Sequence, residues 1–350
     1  MSAGKQLWYS RCPLPTASGI AVDNGSLARR LGDAGWSLEP IENAPQTGAR
    51  DSHFTHATPG LFRQGGNIPP IWARSEGADT ALVGIAWTRE FQAILARPDA
   101  GIRSPADLAG RRLGLPVRTS GEIDFWRAMC LRGFDSALRL AGLTLADAEL
   151  CELPVHERYI PAAASGEGGN WMWAGSARAR RQQAETFAFI RGEVDAIYAS
   201  GALGLQLQAL LGAAVVVDLG FHPDPDVSIN NQVPNILTVD GQLARRQPEV
   251  VAAYIRALRE AATWSRSVPD LANRTCAREV GAPEEWITPS YHDEAVKGLQ
   301  VSLEDRLVAA VASQQRFLLE HGFVSKDFSI DDWVDPTPMN LAIEEEGLTR

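Results

Sequence analysis

Two short stretches of the chain hold most of the side chains that could do chemistry together. Residues 7–19 read LWYSRCPLPTASG, and residues 51–70 read DSHFTHATPGLFRQGGNIPP. Cys12 stands directly before Pro13, which disfavours helix at the cysteine and predicts an extended or turn conformation there. A thiol on such a loop can be held over a cleft as a nucleophile or an acid, but a lone cysteine is also a common small core residue.

The second stretch supplies groups that could assist a thiol. Imidazole titrates near neutral pH, so His53 or His56 could orient a thiol or exchange its proton. The planar guanidinium of Arg63 can donate two parallel hydrogen bonds to a two-oxygen anion. Gly65 and Gly66 would let the backbone approach such an anion closely. Each of these residues could equally have an ordinary structural role. The residue types alone do not decide between a structural and a functional role.

Composition narrows the class of protein. A chain of 350 residues can form two ordinary domains with a substantial core. The net charge of -10 and the absence of a basic tract argue against nucleic acid as a partner. The N-terminus has no apolar run of signal-peptide type, and no segment reaches membrane-spanning length without charges. We therefore expect a cytoplasmic protein with no membrane partner.

The cysteines give no sign of a metal site or a disulfide framework. Cys12, Cys130, Cys151 and Cys276 are widely spaced and form no CxxC pair or Cys/His cluster. We expect four reduced thiols and no bound metal.

The segments that must position these side chains alternate between strand and helix. KQLWYS is a strand candidate, and in the helix-like stretch after it Leu27 and Leu31 stand at i and i+4. Gly35 would end that helix and SLEPIE would begin the next strand. LFRQGGNIPPIWARSEG is interpreted as a loop and a helix, and TALVGIAW as a buried parallel strand. This alternation predicts an α/β protein with mostly parallel sheets.

The second half continues this pattern and then becomes helical. FQAILARPDAGIRSPADLAGRRLGLP predicts strand, turn, a short helix capped by Ser104, and strand. FAFIRGEVDAIYASG and GAAVVVDLG add two strands, and helical periodicity dominates from residue 246 onward. Residues 162–185 are rich in Gly and Ser and contain Trp171 and Trp173. This composition predicts a mobile insertion or a lid.

In their order, these segments resemble the periplasmic-binding-protein-like type II fold, in the branch of the sulfonate and taurine binding proteins. YSRCPLP, IRSPADLAGRRLG, GEVDAIYASG and QPEVVAAYIRALREAATW carry the resemblance. It implies two α/β lobes around a ligand cleft, with lobe I formed by residues 1–95 plus 225–350 and lobe II by 96–224. The chain would cross between lobes near residues 90–97 and 216–240, and a monomer is expected.

YSRCPLP, HFTHATPGLFRQGGNIPP and GEVDAIYASG together resemble the 2'-hydroxybiphenyl-2-sulfinate desulfinase family of the dibenzothiophene desulfurisation route. The resemblance implies cleavage of a carbon-sulfur bond in an aromatic sulfinate by water, with release of sulfite. It selects His53 over His56. It assigns catalytic roles to Cys12, His53 and Arg63, and substrate binding to Ser10, Gly65 and Gly66.

Two mechanisms fit these residues. In one, the Cys12 thiolate attacks the sulfinate sulfur and forms a covalent intermediate. In the other, the Cys12 thiol protonates the ring carbon that bears sulfur. Neither needs a metal, nucleotide or flavin, and the sequence has no P-loop or strand-linked GxGxxG motif, so no cofactor is expected.

Two departures from the family pattern lie beside the predicted site. Arg11 stands where a smaller polar residue is usual, and His56 where an aromatic residue is usual. Arg11 would add positive charge to the cleft or face solvent. We expect some of the ten tryptophans to pack against the substrate ring. The candidates are Trp72, Trp87, Trp126, Trp171 and Trp173.

Two other functions remain open at this point. One is a cysteine-dependent enzyme that acts on a different sulfinate. The other is an anion receptor of a transporter, which would share the fold, the cleft and Arg63.

Overall fold

The computed structural model describes residues 5–46, 48–119, 121–157, 159 and 183–348. Its strands are β1 (Lys5–Arg11), β2 (Trp36–Pro40), β3 (Leu61–Gly65), β4 (Thr80–Ala86), β5 (Gln92–Ala96), β6 (Arg112–Arg118), β7 (Glu149–Val155), β8 (Ala196–Ser200), β9 (Ala214–Asp218) and β10 (Asn235–Asp240).

The helices that come before β10 in the chain connect these strands. They are α1 (Ala17–Asp23), α2 (Ser26–Asp33), α3 (Ser52–Thr55), α4 (Ile68–Ser75), α5 (Phe125–Arg139), α6 (Gln183–Ile190) and α7 (Gly201–Leu211). After β10 the described chain is helical: α8 (Gly241–Arg246), α9 (Pro248–Ser267), α10 (Pro269–Val280), α11 (Ile287–Tyr291), α12 (Glu294–Lys297), α13 (Asp305–Glu320), α14 (Ile330–Trp333) and α15 (Thr337–Leu348).

The strands form two five-stranded sheets. The first has the order β2-β1-β3-β10-β4, and the second the order β7-β6-β8-β5-β9. In each sheet four strands run in one direction, and one strand, β10 or β5, runs against its two neighbours. The prediction of a two-lobed α/β fold with mostly parallel strands is confirmed.

The chain passes between the sheets twice. It leaves the first sheet after β4 and returns to it at β10. Strand β5, which the predicted boundary at residue 95 divides, pairs entirely within the second sheet. The lobe boundaries themselves remain a prediction.

Several local predictions are confirmed. Leu27 and Leu31 are the buried residues of α2. Ser104 and Asp107 form a capping box at the start of a short 3-10 helix. TALVGIAW contains β4, all of whose residues are buried. Among the described strands β4 pairs with β10, and that pairing is antiparallel. The apolar run therefore reflects burial on both faces of the sheet and does not indicate a parallel neighbour.

The interpretation of LFRQG as a loop is wrong, because these residues form the fully buried central strand β3. Arg63 and Gln64 interrupt the apolar run from which a buried strand is normally recognised. Both side chains are satisfied inside the protein. Gln64 accepts hydrogen bonds from the amide and the hydroxyl of Ser18 at 2.9 and 2.5 Å.

The insertion predicted at residues 162–185 lies outside the described residues, except for its last three positions, which begin α6. The predicted substrate contacts at Trp171 and Trp173 lie outside the described residues as well. No helix among the described ranges is long and apolar enough to cross a membrane.

Candidate active site

Strand pairing brings the two chemical motifs together. Strand β1 lies parallel to β3, with Ser10 opposite Arg63, and the amide of Cys12 donates to the carbonyl of Gln64 at 3.2 Å. Because side chains alternate along a strand, Ser10 and Cys12 lie on one face and Arg11 on the other. Two segments that are distant in sequence thus present their polar groups side by side.

Arg63 is fully buried, and its guanidinium forms hydrogen bonds to three residues of the site. Its Nε donates to the carbonyl of His53 at 2.9 Å, and its Nη1 donates to the carbonyl of Gly66 at 2.8 Å. Its Nη2 donates to Sγ of Cys12 at 3.2 Å. Burial lowers the pKa of the guanidinium, and the neighbouring Cys12 opposes that effect. The guanidinium therefore presents one N–H group directly to the sulfur of Cys12.

His53 bridges Cys12 and Ser10. Its Nε2 lies 3.6 Å from Sγ of Cys12, and its Nδ1 lies 2.6 Å from Oγ of Ser10. If Nδ1 carries the proton and donates to Ser10, Nε2 can accept a proton from the thiol. If Nε2 carries it, the ring donates to Sγ while Ser10 donates to Nδ1. In both tautomers the ring can hold or move a proton at sulfur.

The glycine pair permits two close approaches. A Cβ added at Gly65 would lie 2.3 Å from Sγ of Cys12, and one added at Gly66 would lie 2.5 Å from Nδ2 of Asn231. Any side chain at residue 65 would therefore displace the thiol. Among the described residues, the wall of the cleft includes neither glycine and does not include Ser10.

The cleft above Cys12 encloses about 840 Å³, part of it open to solvent. Its walls come from both sheets and from the segments between them: Cys12, Pro13, His53, Phe54, Arg63, Pro69, Phe125, Trp126, Met129, Tyr159, Ser200, Gly201, Leu203, Asn231, Gln232 and Tyr291.

One wall of the cleft is aromatic. The rings of Phe125 and Tyr159 stack with centroids 4.3 Å apart, and Phe54 lies 6.1 Å from each of them. Phe54 follows His53 directly, so the aromatic wall begins beside the catalytic candidates. The indole of Trp126 donates to Oε1 of Glu185 at 2.5 Å, and burial raises the pKa of that carboxyl to about 7.

His56 lies away from the thiol. It has a positive φ of 55° at the end of α3, and its Nε2 lies 2.8 Å from Oγ1 of Thr238. Burial lowers its pKa to about 3, with a smaller contribution from Arg63. It lines a separate cavity, together with Trp72. His56 is therefore neutral at working pH and does not compete with His53 for Cys12.

Neither expectation for Arg11 is correct. Its side chain is buried and forms an ion pair with Glu279 at 2.7 Å, on the face of β1 opposite Cys12. It also lies over the ring of Tyr9 at 5.1 Å. The charge is neutralised against α10, so it neither enters the cleft nor faces solvent.

Comparison with known proteins finds similarity that extends over nearly the whole chain. The chain is 28% identical to 2'-hydroxybiphenyl-2-sulfinate desulfinase of Rhodococcus erythropolis over 96% of its own length and 93% of the relative. The crystal structure of the desulfurization enzyme DSZB matches with a TM-score of 0.73 and 26% identity, over 98% of this chain and 99% of that one. The chain is similar to this desulfinase over nearly its whole length.

A further structure of DSZB, a cysteine-to-serine variant in complex with biphenyl-2-sulfinic acid, matches with a TM-score of 0.74 and 25% identity over 97% of this chain and 99% of that one. A family model described as NMT1/THI5 like matches residues 60–136. The periplasmic aliphatic sulphonate binding protein SsuA from Escherichia coli shares the fold, with a TM-score of 0.65 and 19% identity over 97% of this chain and 100% of that one. The resemblance drawn from the motifs is confirmed.

Sequence reasoning missed most of the cleft wall of this desulfinase relative. The sequence does point to Phe54, because this residue adjoins His53 within the quoted motif. No motif points to Phe125, Tyr159 or Gln232, because they come from segments that only the fold brings to the cleft. Among the tryptophan candidates Trp126 lines the cleft. Trp72 and Trp87 pack against the hydrophobic core.

Proposed function

We propose that this protein is an aromatic sulfinate desulfinase that hydrolyses a carbon-sulfur bond and releases sulfite and the desulfinated arene. The observation that carries the proposal is the contact of 3.2 Å between Nη2 of Arg63 and Sγ of Cys12, with His53 at 3.6 Å. This trio lies at one end of a cleft with an aromatic wall. The relative that spans nearly the whole chain is a sulfinate desulfinase.

The cleft offers both parts of an aromatic sulfinate a suitable partner. Arg63 has five N–H donors, and its described contacts leave at least one available to a sulfinate oxygen. Phe54, Phe125 and Tyr159 supply apolar ring surface for the arene. Gly65 and Gly66 serve this arrangement by letting Cys12 and Asn231 approach the strand.

The cation beside sulfur favours the nucleophilic route. The thiolate of Cys12 attacks the sulfinate sulfur, and the carbon-sulfur bond breaks with its electron pair going to the ring carbon. That carbon takes a proton from the His53 imidazolium, which leaves SO₂⁻ bonded to Sγ. Water then attacks this sulfur, bisulfite leaves, and the thiol is restored. Ser10 acts as a positioning residue that keeps the imidazole turned toward sulfur.

The alternative route uses the same residues in another order. The Cys12 thiol gives its proton to the ring carbon, the ring recovers the electron pair of the carbon-sulfur bond, and sulfur dioxide leaves to be captured by water. The two routes differ in one observable, because only the first yields a protein adduct with the mass of SO₂. Rapid acid quenching followed by mass spectrometry of the intact protein distinguishes them.

Sulfite release tests the function directly. The purified protein is incubated with 2'-hydroxybiphenyl-2-sulfinate, biphenyl-2-sulfinate and a set of alkyl sulfinates. We expect sulfite from the aryl compounds with wild type and with Cys151→Ser, a control at a thiol outside the cleft, and none with Cys12→Ser. Preference for alkyl sulfinates would assign a different substrate class.

A receptor would give a different result. Saturable binding of a sulfonate or sulfinate that Cys12→Ser leaves intact, with no sulfite from any compound, would contradict the enzyme and favour a binding protein. The expected cytoplasmic location and monomeric state belong to the same proposal, and cell fractionation and gel filtration test them.

A further inference from the structure

One side-chain amide in the wall of the cleft has an N–H group that its described contacts do not use. Asn231, on the segment between β9 and β10, lines the cleft and is only 4% exposed. Its Oδ1 accepts from the backbone amide of Ile68 at 2.9 Å. Its Nδ2 has one described partner, Sδ of Met129 at 3.5 Å. A thioether is a weak acceptor and an amide nitrogen carries two N–H groups, so at least one of them is left for another partner.

The backbone decides which end of this amide is the oxygen. A backbone N–H can only donate, so the atom of Asn231 that faces the amide of Ile68 must be an acceptor. Turning the side chain over would set two donors against each other and leave buried N–H groups without an acceptor, which is costly. Nδ2 is thereby fixed as the atom that does not face Ile68. The group that Asn231 can offer a ligand is a hydrogen-bond donor.

This donor lies beside the glycine pair. A Cβ added at Gly66 would lie 2.5 Å from Nδ2 of Asn231, so the amide nitrogen packs directly against the backbone of residue 66. Gly66 also holds Arg63, whose Nη1 donates to the Gly66 carbonyl at 2.8 Å. Asn231 and Arg63 therefore contact the same residue, and both line the cleft that contains Cys12.

The backbone donors at the start of α4 are already used or missing. The amide of Asn67 donates to the carbonyl of Asn231 at 2.6 Å, and the amide of Ile68 donates to its side chain. Pro69 and Pro70 have no amide hydrogen. These four residues therefore present no free amide to an anion. Since an anion taken out of water needs hydrogen-bond donors, the side-chain N–H of Asn231 is the donor that this segment leaves available.

We propose that Asn231 is a substrate-binding residue that donates a hydrogen bond through Nδ2 to a sulfinate oxygen, beside the Arg63 guanidinium. The inference rests on the proposed function, because it takes the sulfinate as the ligand, and it adds a neutral donor to the charged one. A two-oxygen anion can accept from both groups at once. The segment by which the chain returns to the first sheet thus takes part in anion binding.

The test measures dissociation constants in the Cys12→Ser background, which separates binding from turnover. Biphenyl-2-sulfinate is the anionic probe, and 2-hydroxybiphenyl is a neutral probe with the same two rings. Asn231→Asp keeps an oxygen for the amide of Ile68 but replaces the donor by a carboxylate oxygen. Asn231→Leu removes the donor without adding charge. Both should raise the sulfinate-to-neutral ratio of dissociation constants by about 10- to 100-fold, the value of one hydrogen bond to a charged group.

The neutral probe separates anion binding from a structural role, because a damaged cleft wall would weaken the binding of both probes alike. Ser200→Ala is the control. Ser200 lines the same cleft from the end of β8 in the second sheet, and its loss should keep the ratio within twofold.

Three results would overturn the inference: a ratio within twofold of Cys12→Ser in either Asn231 variant, an equal rise in Ser200→Ala, or no saturable binding of the sulfinate to Cys12→Ser. Sulfite release by wild type decides the proposed function separately. Sulfinate binding that depends on Asn231, with no sulfite from wild type, would contradict the proposed function and leave this inference standing.

Discussion

At the scale of single residues, the notable feature is a fully buried arginine whose contacts are with carbonyl groups and sulfur. Arg63 donates to the backbone of His53 and Gly66 and to Sγ of Cys12. Taking a guanidinium out of water is expensive unless its N–H groups are bonded. The carbonyl contacts supply much of that compensation and fix the plane of the group. One edge of the guanidinium is then held against the thiol.

Arg63→Lys should lower kcat/KM by about 10²- to 10³-fold, the usual cost of removing one aligned donor from an active site. An ammonium group has no planar fork and cannot hold His53, Gly66 and Cys12 at once. The measurement is sulfite release with an aryl sulfinate.

Arg132→Lys is the matched control. Arg132 is partly buried on α5, and its guanidinium also bonds a backbone carbonyl, that of Ser313, away from the cleft. Activity within threefold of wild type in Arg63→Lys would contradict the role given to the guanidinium.

At the scale of elements, two parallel strands place the site. Strand β1 ends one residue before Cys12, and β3 ends at Gly65, so their carboxyl ends meet at one edge of the first sheet. This is where open α/β sheets bind ligands. Gly65 lies at the end of β3, and its missing side chain gives the space that Sγ of Cys12 occupies.

Gly65→Ala should reduce activity by about 100-fold, because a displacement of the reacting sulfur by about 1 Å has this cost. Gly84→Ala on β4 is the control. Its added Cβ would meet its nearest neighbour, in Val301, at 3.4 Å, an ordinary contact. Sulfite release and the circular dichroism spectrum are compared for both. A folded Gly65→Ala enzyme with wild-type activity would show that the thiol tolerates displacement.

At the scale of the whole molecule, one buried imidazole makes the stability of the fold depend on pH. His56 is buried as a neutral ring, and its pKa is lowered to about 3 from an ordinary value near 6.5. Below about pH 6.5 the unfolded chain takes up a proton at this position that the folded protein does not. The free energy of unfolding therefore falls as pH falls, until about pH 3.

His56→Gln should weaken this dependence. Between pH 7 and pH 5 wild type should lose about 2 kcal/mol of unfolding free energy more than the variant, as linkage requires for this shift. Urea unfolding at the two pH values measures the difference. Thr238→Val removes the partner of Nε2 but keeps the imidazole, so it should retain the wild-type pH dependence. Equal slopes in wild type and His56→Gln would contradict the assignment of a neutral buried ring.

The sequence by itself predicted the fold class, and it pointed to Cys12, His53 and Arg63, which the structure brings into contact. Apolar runs such as β4 predict buried strands because a sheet covered on both faces needs apolar residues throughout. The motifs around Cys12, His53 and Arg63 are short and local, so their resemblance to a known family survives at low overall identity.

The tertiary structure alone decided which distant residues face that centre. LFRQG was misread because burial of Arg63 depends on carbonyl groups from other segments, which no local pattern encodes. The same applies to Arg11, whose partner Glu279 is far away in sequence. Phe125, Tyr159 and Gln232 reach the cleft only because the chain crosses twice between two sheets. A side chain's environment depends on these long-range contacts, whereas its helix or strand propensity depends on its neighbours in sequence.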